Sequence, residues 1–514
     1  MLQNLKLQQL AWLIPPSVAL AVYYVGLNNF FTWDDFIWLH KADIFKQNWF
    51  QMLLPEESRY FDPLVHLMFF ADSLVGNFNH TWYHSVDLGI HALNSLLIYY
   101  FARLLGGDER ISLYAGILFA CSFAIADAVL WSSSRVDLVS TLFTLGALIQ
   151  FLLYLRNERK RNLTFSFMFF VLALGAKGTP LILPLILFWL IIQEKKRVNY
   201  AICLFPFVTV VLLYLALLKL TMHQASPSID GVLFNINNIV LAFCSLYIPE
   251  GILSVYSLNS TAAFMFIVVS VLCFAGNSSA NTSRIRKTGY CILFAALLPM
   301  LYTSDFKLVT KESGFDNLLS SPSHRIYLSS VGAALIGGGF LRFVETVLKK
   351  LFPRFASISV LLLLAAIVAI NVFFVRERDI LWESAGVEYN QQFNALLAYR
   401  GQVAENSQIG TVEFIGSSGL LIAMLKVCLG INNITHLNPV SIEMINDMSI
   451  LQKAEESFLF VKSLDGHVYD KSKQFRQQLL LNRKAILNPE IPEYASECRA
   501  IAKNLLTEIY QIIK

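Results

Sequence analysis

The chain has 514 residues, 56% of them hydrophobic and 15% charged, with a formal net charge of +4 and a mean hydropathy of +0.55. Soluble domains carry about 45–50% apolar and about 25% charged residues, so this composition excludes an ordinary soluble protein and describes a polytopic membrane protein. The small net charge gives no nucleic-acid footprint. The seven cysteines stand singly, without CxxC or Cys/His spacing, as buried apolar side chains rather than metal ligands do; Cys428 and Cys498 share the last segment and could pair.

A helix needs roughly 20 apolar residues to cross a bilayer core of about 30 Å. In chain order, the candidate spans are residues 10–28, 83–105, 111–128, 137–155, 162–177, 179–193, 199–220, 260–276, 287–304, 325–343 and 356–375. The first is too long for a signal-peptide core and lacks a cleavage site, so it is expected to be retained. The stretch 235–257 is apolar but broken by Pro249 and Gly251, and is expected to be interfacial or re-entrant, with a full span as the alternative. Four dense basic runs, "RNERKRN" (156–162), "EKKR" (194–197), "RIRK" (284–287) and "KKLFPR" (349–354), then fall on one side, which the positive-inside rule makes cytoplasmic. The loop 29–82 and the segment 377–514 are therefore extracytoplasmic. In the last segment, residues 411–437 read as strand, helix, strand. "SFLFVKSLDGHVYDKS" reads as a hairpin about Asp465-Gly466, and "ASECRAIAKNLLTEIYQII" as an amphipathic closing helix. The expected fold is a mainly α polytopic membrane protein of about 11 transmembrane helices, residues 1–376. A small soluble α/β domain, residues 377–514, follows it.

Charged residues at the expected outer face set the functional question. Asp34 and Asp35 lie in "FFTWDDFIWLHKADIF" among Trp33, Phe36 and Trp38, aromatic residues suited to a membrane interface. Helix neighbours point about 100° apart, so one of the two can act as a general base toward a hydroxyl or amine while the other caps or orients. In the next block, which includes Tyr60, the residues His84, Asp87 and His91 stand at i, i+3, i+7 on one helix face. Ionisable groups there are functional candidates; interhelical hydrogen bonding through His91 and Asn94 is the plainer reading, and a His-Asp-His zinc site a third. Arg135 and Asp137 open the fourth span and could pair with each other. Lys177 precedes a helix start at Pro180, and His324, Arg325 and Tyr327 open the tenth span. Arg135, Lys177 and Arg325 share the expected face of Asp34, which suits a lipid phosphate stabilised by cations.

The ordered blocks "WDD", "YFDPL", "YHSVDLGIHALNSLL", "SSSRVDL", "AKGTPLILP" and "HRIYLSSVG", with "VRERDILWESA" after the last span, resemble those of GT-C membrane glycosyltransferases. The similarity covers about residues 10–385 in scattered blocks. It is greatest to the protein O-mannosyltransferase-like branch, including the tetratricopeptide-bearing transmembrane mannosyltransferases, whose repeats this chain lacks. The resemblance implies an inverting transfer of a sugar from a polyprenyl-phosphate carrier to a protein, lipid or glycan acceptor at the extracytoplasmic face. Asp34, with Asp35 as runner-up, takes the catalytic position. Arg135, Lys177 and Arg325 take the donor-phosphate positions, and Tyr60, His84, Asp87, His91, Asp137, His324 and Tyr327 the substrate cavity. The chain departs from the family where "S-K-E" reads "AKG", where the Arg of "Y-R-P-L" is Asp62, and where the Glu of "E-R-Y" is His324. No metal ligand set is implied, and a divalent cofactor stays open. The expected setting is a bacterial inner membrane, with membrane lipid and no nucleic acid as partners. The alternatives are a transporter or flippase of a lipid-linked substrate and a catalytically inactive membrane scaffold.

Overall fold

Long apolar helices dominate the computed structural model, which describes residues 10–53, 61–196, 198–221, 238–250, 280–302, 318, 321–412, 414, 418–437, 451–463, 467–488 and 490–513. Among these described residues, five helical stretches are long and apolar enough to cross a membrane: Ala11–Asn28, Ser132–Asn157, Tyr200–Lys219, Tyr327–Leu351 and Ala356–Leu397. A sixth arises if Glu109–Ala120 and Phe123–Leu130, bent by 45°, form one span. The expected count of eleven is therefore not established among the described residues. The difference has local causes. His80–Leu104 is 25 residues long, but His80, His84, Asp87, His91 and Arg103 along it lower its hydropathy. Lys160–Leu174 has only 15 residues, and Thr179–Gln193 is a shorter apolar helix. The expected span 260–276 lies outside the described residues, as do 235–237 and 251–257 of the stretch 235–257; within the rest of that stretch, 238–245 is helical.

The chain divides into two compact units, Met1–Asn29 with Met52–Met68 and Gly76–Glu383, and Phe30–Gln51 with Phe69–Val75 and Ser384–Lys514. In the first unit the helices are α1 (Ile14–Tyr23), α4 (His80–Leu104), α5 (Glu109–Ala120), α6 (Ala126–Leu130), α7 (Arg135–Asn157), α8 (Lys160–Leu174), α9 (Leu183–Gln193), α10 (Phe205–Thr221), α11 (Ala280–Leu297) and α12 (Tyr327–Leu351). The helix α13 (Ala356–Leu397) begins in this unit, and at 42 residues is about 63 Å long. The segment "VRERDILWESA", expected as an exit from the last span, is thus a continuation of it.

Small residues let the helices of this unit approach. A Cβ on Gly332 of α12 would stand 2.4 Å from the Gly289 carbonyl oxygen of α11, and one on Gly338 would stand 2.9 Å from Ala115 N of α5. Without a hydrophobic driving force between helices in lipid, such close backbone packing is a main source of association. Tyr114 and Ile117 of α5, Leu341 of α12, and Val360 and Leu364 of α13 form a buried apolar cluster. Three of the basic runs meet at one end: Arg156 and Arg284 both pair with Glu194, and Lys196 pairs with Glu158 at 2.9 Å.

The second unit holds α2 (Asp35–Gln47), the end of α3 (Pro63–Val75), the end of α13 and a four-stranded sheet. Its strands β1 (Gln408–Val412), β2 (Thr435–Leu437), β3 (Ser457–Lys462) and β4 (Val468–Asp470) run in the order β2-β1-β3-β4. β1 is parallel to β2 and β3, and β4 is antiparallel to β3. The strand-helix-strand reading is thus a parallel crossover through α14 (Ser418–Leu429). The expected hairpin turn at Asp465-Gly466 lies outside the described residues, but Ser463 N donates to His467 O at 2.9 Å across it. Phe475 and Leu479 of α15 (Ser472–Leu487) and Leu505 and Ile509 of α16 (Pro492–Ile513) join Leu459 and Val461 in one core. Cys428 and Cys498 are free thiols, and the pairing considered from sequence does not occur.

Replacing Gly332 by Leu overpacks the α11–α12 crossing. It should lower stability by about 1–3 kcal/mol, read as an earlier thermal unfolding transition in detergent. Gly89→Leu, where nothing lies within 4 Å, should leave the transition in place.

Candidate functional site

In the second unit, the acidic pair divides its labour by backbone geometry. Trp33 adopts φ +41°, a region costly for a bulky side chain, and the turn it makes delivers Asp34 to the N-cap of α2. Asp35, 1% exposed, turns back so that its Oδ2 accepts from Thr32 N at 2.8 Å. It fastens the loop to the helix. Asp34 is half-buried; its carbonyl oxygen accepts from Ile37 N and Trp38 N, yet its carboxylate makes no cap hydrogen bond. Burial raises the Asp34 carboxyl above the ordinary 3.8, opposed by the positive charge of Lys41 one to two turns on. Aromatic rings enclose the turn: Tyr389 lies 5.8 Å from Trp33 and 5.7 Å from Phe36 between centroids.

In the first unit, the buried charges pair across helices. Arg135 is 0% exposed; its Nε donates to Asp87 Oδ1 at 2.5 Å and its Nη2 to Tyr83 O at 3.1 Å. Lys177 Nζ donates to both carboxylate oxygens of Asp137, at 2.7 and 2.6 Å. The pairing of Arg135 with Asp137 considered from sequence does not form. Both residues lie in α7, and positions i and i+2 point to different sides of a helix. Arg325, partly exposed, donates through Nε to His324 Nε2 at 3.1 Å, so the imidazole proton is assigned to Nδ1. Burial, followed by the charges of Arg325, Lys177 and Arg378, holds His324 neutral, its pKa well below 6.5.

The face of α4 is taken up by partners on other elements. Asp87 holds Arg135. His91 Nδ1 lies 2.8 Å from Tyr327 Oη and its Nε2 lies 3.2 Å from Ala120 O. Asn94 donates to Tyr327 Oη at 3.2 Å, so the tyrosine hydroxyl can donate to His91 in turn. Ser132 Oγ is 3.4 Å from His84 Nδ1. These contacts match the interhelical hydrogen-bonding reading of His91 and Asn94. Among the described residues, no three His, Cys, Asp or Glu side chains are placed to hold a metal ion. Tyr60 lies outside the described residues.

One cluster was missed from sequence. Arg378 Nε is 3.1 Å from Asp127 Oδ1 and its Nη2 is 3.1 Å from Glu250 Oε1. Trp382 Nε1 donates to the same Asp127 oxygen at 2.8 Å and stacks on Trp131 at 5.5 Å. Trp131 in turn meets His324 edge-on at 5.7 Å. Ser321 Oγ donates to Glu250 at 2.8 Å, and Asp127 N donates to Ser323 Oγ at 3.2 Å. This network fixes the turn that carries His324 and Arg325. Two signals were available: a lone Asp127 within an apolar run, and the i, i+4 spacing of Arg378 and Trp382.

No protein-family model matches the chain, and no curated protein matches it. Among solved structures, it is similar to the archaeal oligosaccharyltransferase AglB from Archaeoglobus fulgidus, in complex with an inhibitory peptide and a dolichol-phosphate. The identity is 10%, with 90% of this chain and 74% of that chain covered, at a TM-score of 0.45. It is also similar to ArnT from Cupriavidus metallidurans in the apo state, with 10% identity, 88% and 92% coverage, and a TM-score of 0.49. At this distance neither likeness carries an argument about activity.

Breaking the Arg135–Asp87 pair from one side leaves a buried guanidinium uncompensated. Asp87→Asn should cost about 3–5 kcal/mol, and Asp87→Asn with Arg135→Gln should recover part of it, both read by thermal denaturation in detergent.

Proposed function

We propose that the chain is an inverting glycosyltransferase of the GT-C type, moving a sugar from a polyprenyl-phosphate carrier to an acceptor at the extracytoplasmic face of a bacterial inner membrane. The observation that carries this reading is the division of the acidic pair. Asp35 bonds the loop, while the Asp34 carboxylate makes no cap bond, lies among aromatic rings and has a raised pKa. That is how a general base is tuned toward working pH. The ordered sequence blocks of GT-C enzymes, "WDD" first among them, support the same assignment.

Asp34 takes the proton of the acceptor hydroxyl or amine as that atom attacks the anomeric carbon. The bond from the anomeric carbon to the carrier phosphate oxygen breaks on the opposite face, which inverts the configuration and leaves polyprenyl phosphate. By the resemblance of the sequence blocks alone, Lys177 and Arg325 are the cations assigned to the charge that develops on the departing phosphate. Arg135 was grouped with them from sequence, but its burial against Asp87 suits a positioning role: it fixes the start of α7, on which Asp137 orients Lys177. His324, Tyr327, His84 and His91 support that region.

Full-length protein in proteoliposomes, supplied with a panel of polyprenyl-phosphate sugars and a panel of hydroxyl- and amine-bearing acceptors, should transfer the sugar and release polyprenyl phosphate. Asp34→Asn should cut the rate by about 10²–10⁴-fold with an unchanged unfolding transition. Lipid translocation without any release, equal in Asp34→Asn, would sink the proposal in favour of a flippase.

The base must be ionised, so the rate should fall as pH drops through the Asp34 pKa. That acidic limb should lie above the pH at which an ordinary Asp titrates. Lys41 stabilises the carboxylate, so Lys41→Gln should move the limb to higher pH; a shift to lower pH would refute the assignment.

A further inference from the structure

Away from those residues, at the junction of α5, α12 and α13, Glu345 is 0% exposed beneath a rim of cations. Lys349 Nζ lies 3.0 Å from its Oε1 and Arg342 Nη1 2.8 Å from its Oε2. Arg110 also pairs with Oε1, and Ser357 Oγ donates to the same oxygen at 3.2 Å. The carboxylate is buried, but the side chains of Arg110, Arg342 and Lys349 are 48%, 25% and 42% exposed. Asp108 adds a second carboxylate, 2.6 Å from Arg342 Nη2. Three cations thus face two carboxylates, and one positive charge remains before the neighbouring exposed Lys350 and Arg354 are counted.

We propose that the rim of Arg110, Arg342 and Lys349 binds the phosphate headgroup of an anionic membrane lipid. Donors remain for it. Arg110 spends Nη1 on Glu345 and Ser357, which leaves Nε and Nη2. Lys349 has three donors and one partner, Glu345. Buried Glu345 holds the three cations at fixed spacing, so little side-chain freedom is lost when a phosphate arrives. The apolar flank argues for a lipid rather than a free phosphate. Leu351, Phe352, Phe355 and Ile358, adjoining Lys349 and Ser357 in sequence, are 57–64% exposed. They stand at the ends of two helices apolar enough to cross a membrane. Phosphate on the rim and acyl chain along this flank match both halves of such a lipid, and basic clusters at helix ends attract anionic lipids.

The test is retention of phosphatidylglycerol over phosphatidylcholine by the full-length protein, measured by native mass spectrometry from mixed-lipid nanodiscs. Arg110→Gln with Lys349→Gln should weaken phosphatidylglycerol retention by roughly tenfold or more, whereas Arg110→Lys with Lys349→Arg should keep most of it. Wild-type retention should fall as salt is raised, a measurement that stands even if the double Gln variant does not fold. Equal retention of the two lipids, retention unaffected by salt or by a folded double Gln variant, or competition by inorganic phosphate at concentrations matching the lipid would overturn the proposal.

Discussion

A guanidinium with no access to water must find its counter-charge inside the protein, and the helices around Arg135 are arranged to meet that demand. Asp87 and the Tyr83 carbonyl oxygen come from α4, and Arg135 from the first turn of α7. The same constraint recurs at Lys177 with Asp137, at Arg378 with Asp127 and Glu250, and at Glu345 with its three cations. Each joins elements far apart in the chain. The penalty for leaving one partner alone in an apolar interior is several kcal/mol, so these pairs restrict how the helices can shift against one another. Glycine contacts such as Gly332 on Gly289 provide the close approach, and the ion pairs select the register.

The two carboxylates beyond the first helix are chemically identical and differ only in surroundings. The positive φ of Trp33 places Asp35 where it can accept from Thr32 and leaves Asp34 at the N-cap without a cap bond. One is thereby committed to structure. The other keeps a carboxylate whose charged form is disfavoured by burial and partly restored by Lys41, the balance a general base requires. The turn carrying His324 and Arg325 is comparably built, its shape set by the network of Asp127, Glu250, Arg378 and Trp382.

Chain-local properties were legible from the residues alone. Hydropathy identified a membrane protein, and period-2 and period-3.6 patterns found the strand-helix-strand unit and the closing helix of the last segment. The aromatic setting of Asp34 and Asp35 marked them as a pair. Helix lengths were less legible: polar residues along His80–Leu104 and the uninterrupted run of α13 through "VRERDILWESA" obey local helix propensity, not a bilayer thickness.

Partner choice belonged to the tertiary structure. Asp137 stands two residues from Arg135, yet Arg135 pairs with Asp87, 48 positions away, because a helix turns near neighbours apart while packing brings remote ones together. Likewise, sequence names Asp34 and Asp35 together, and only the fold, through the Trp33 turn, says which of them is occupied. Composition and periodicity are properties of a segment, whereas the neutralisation of a buried charge depends on which other segment is pressed against it.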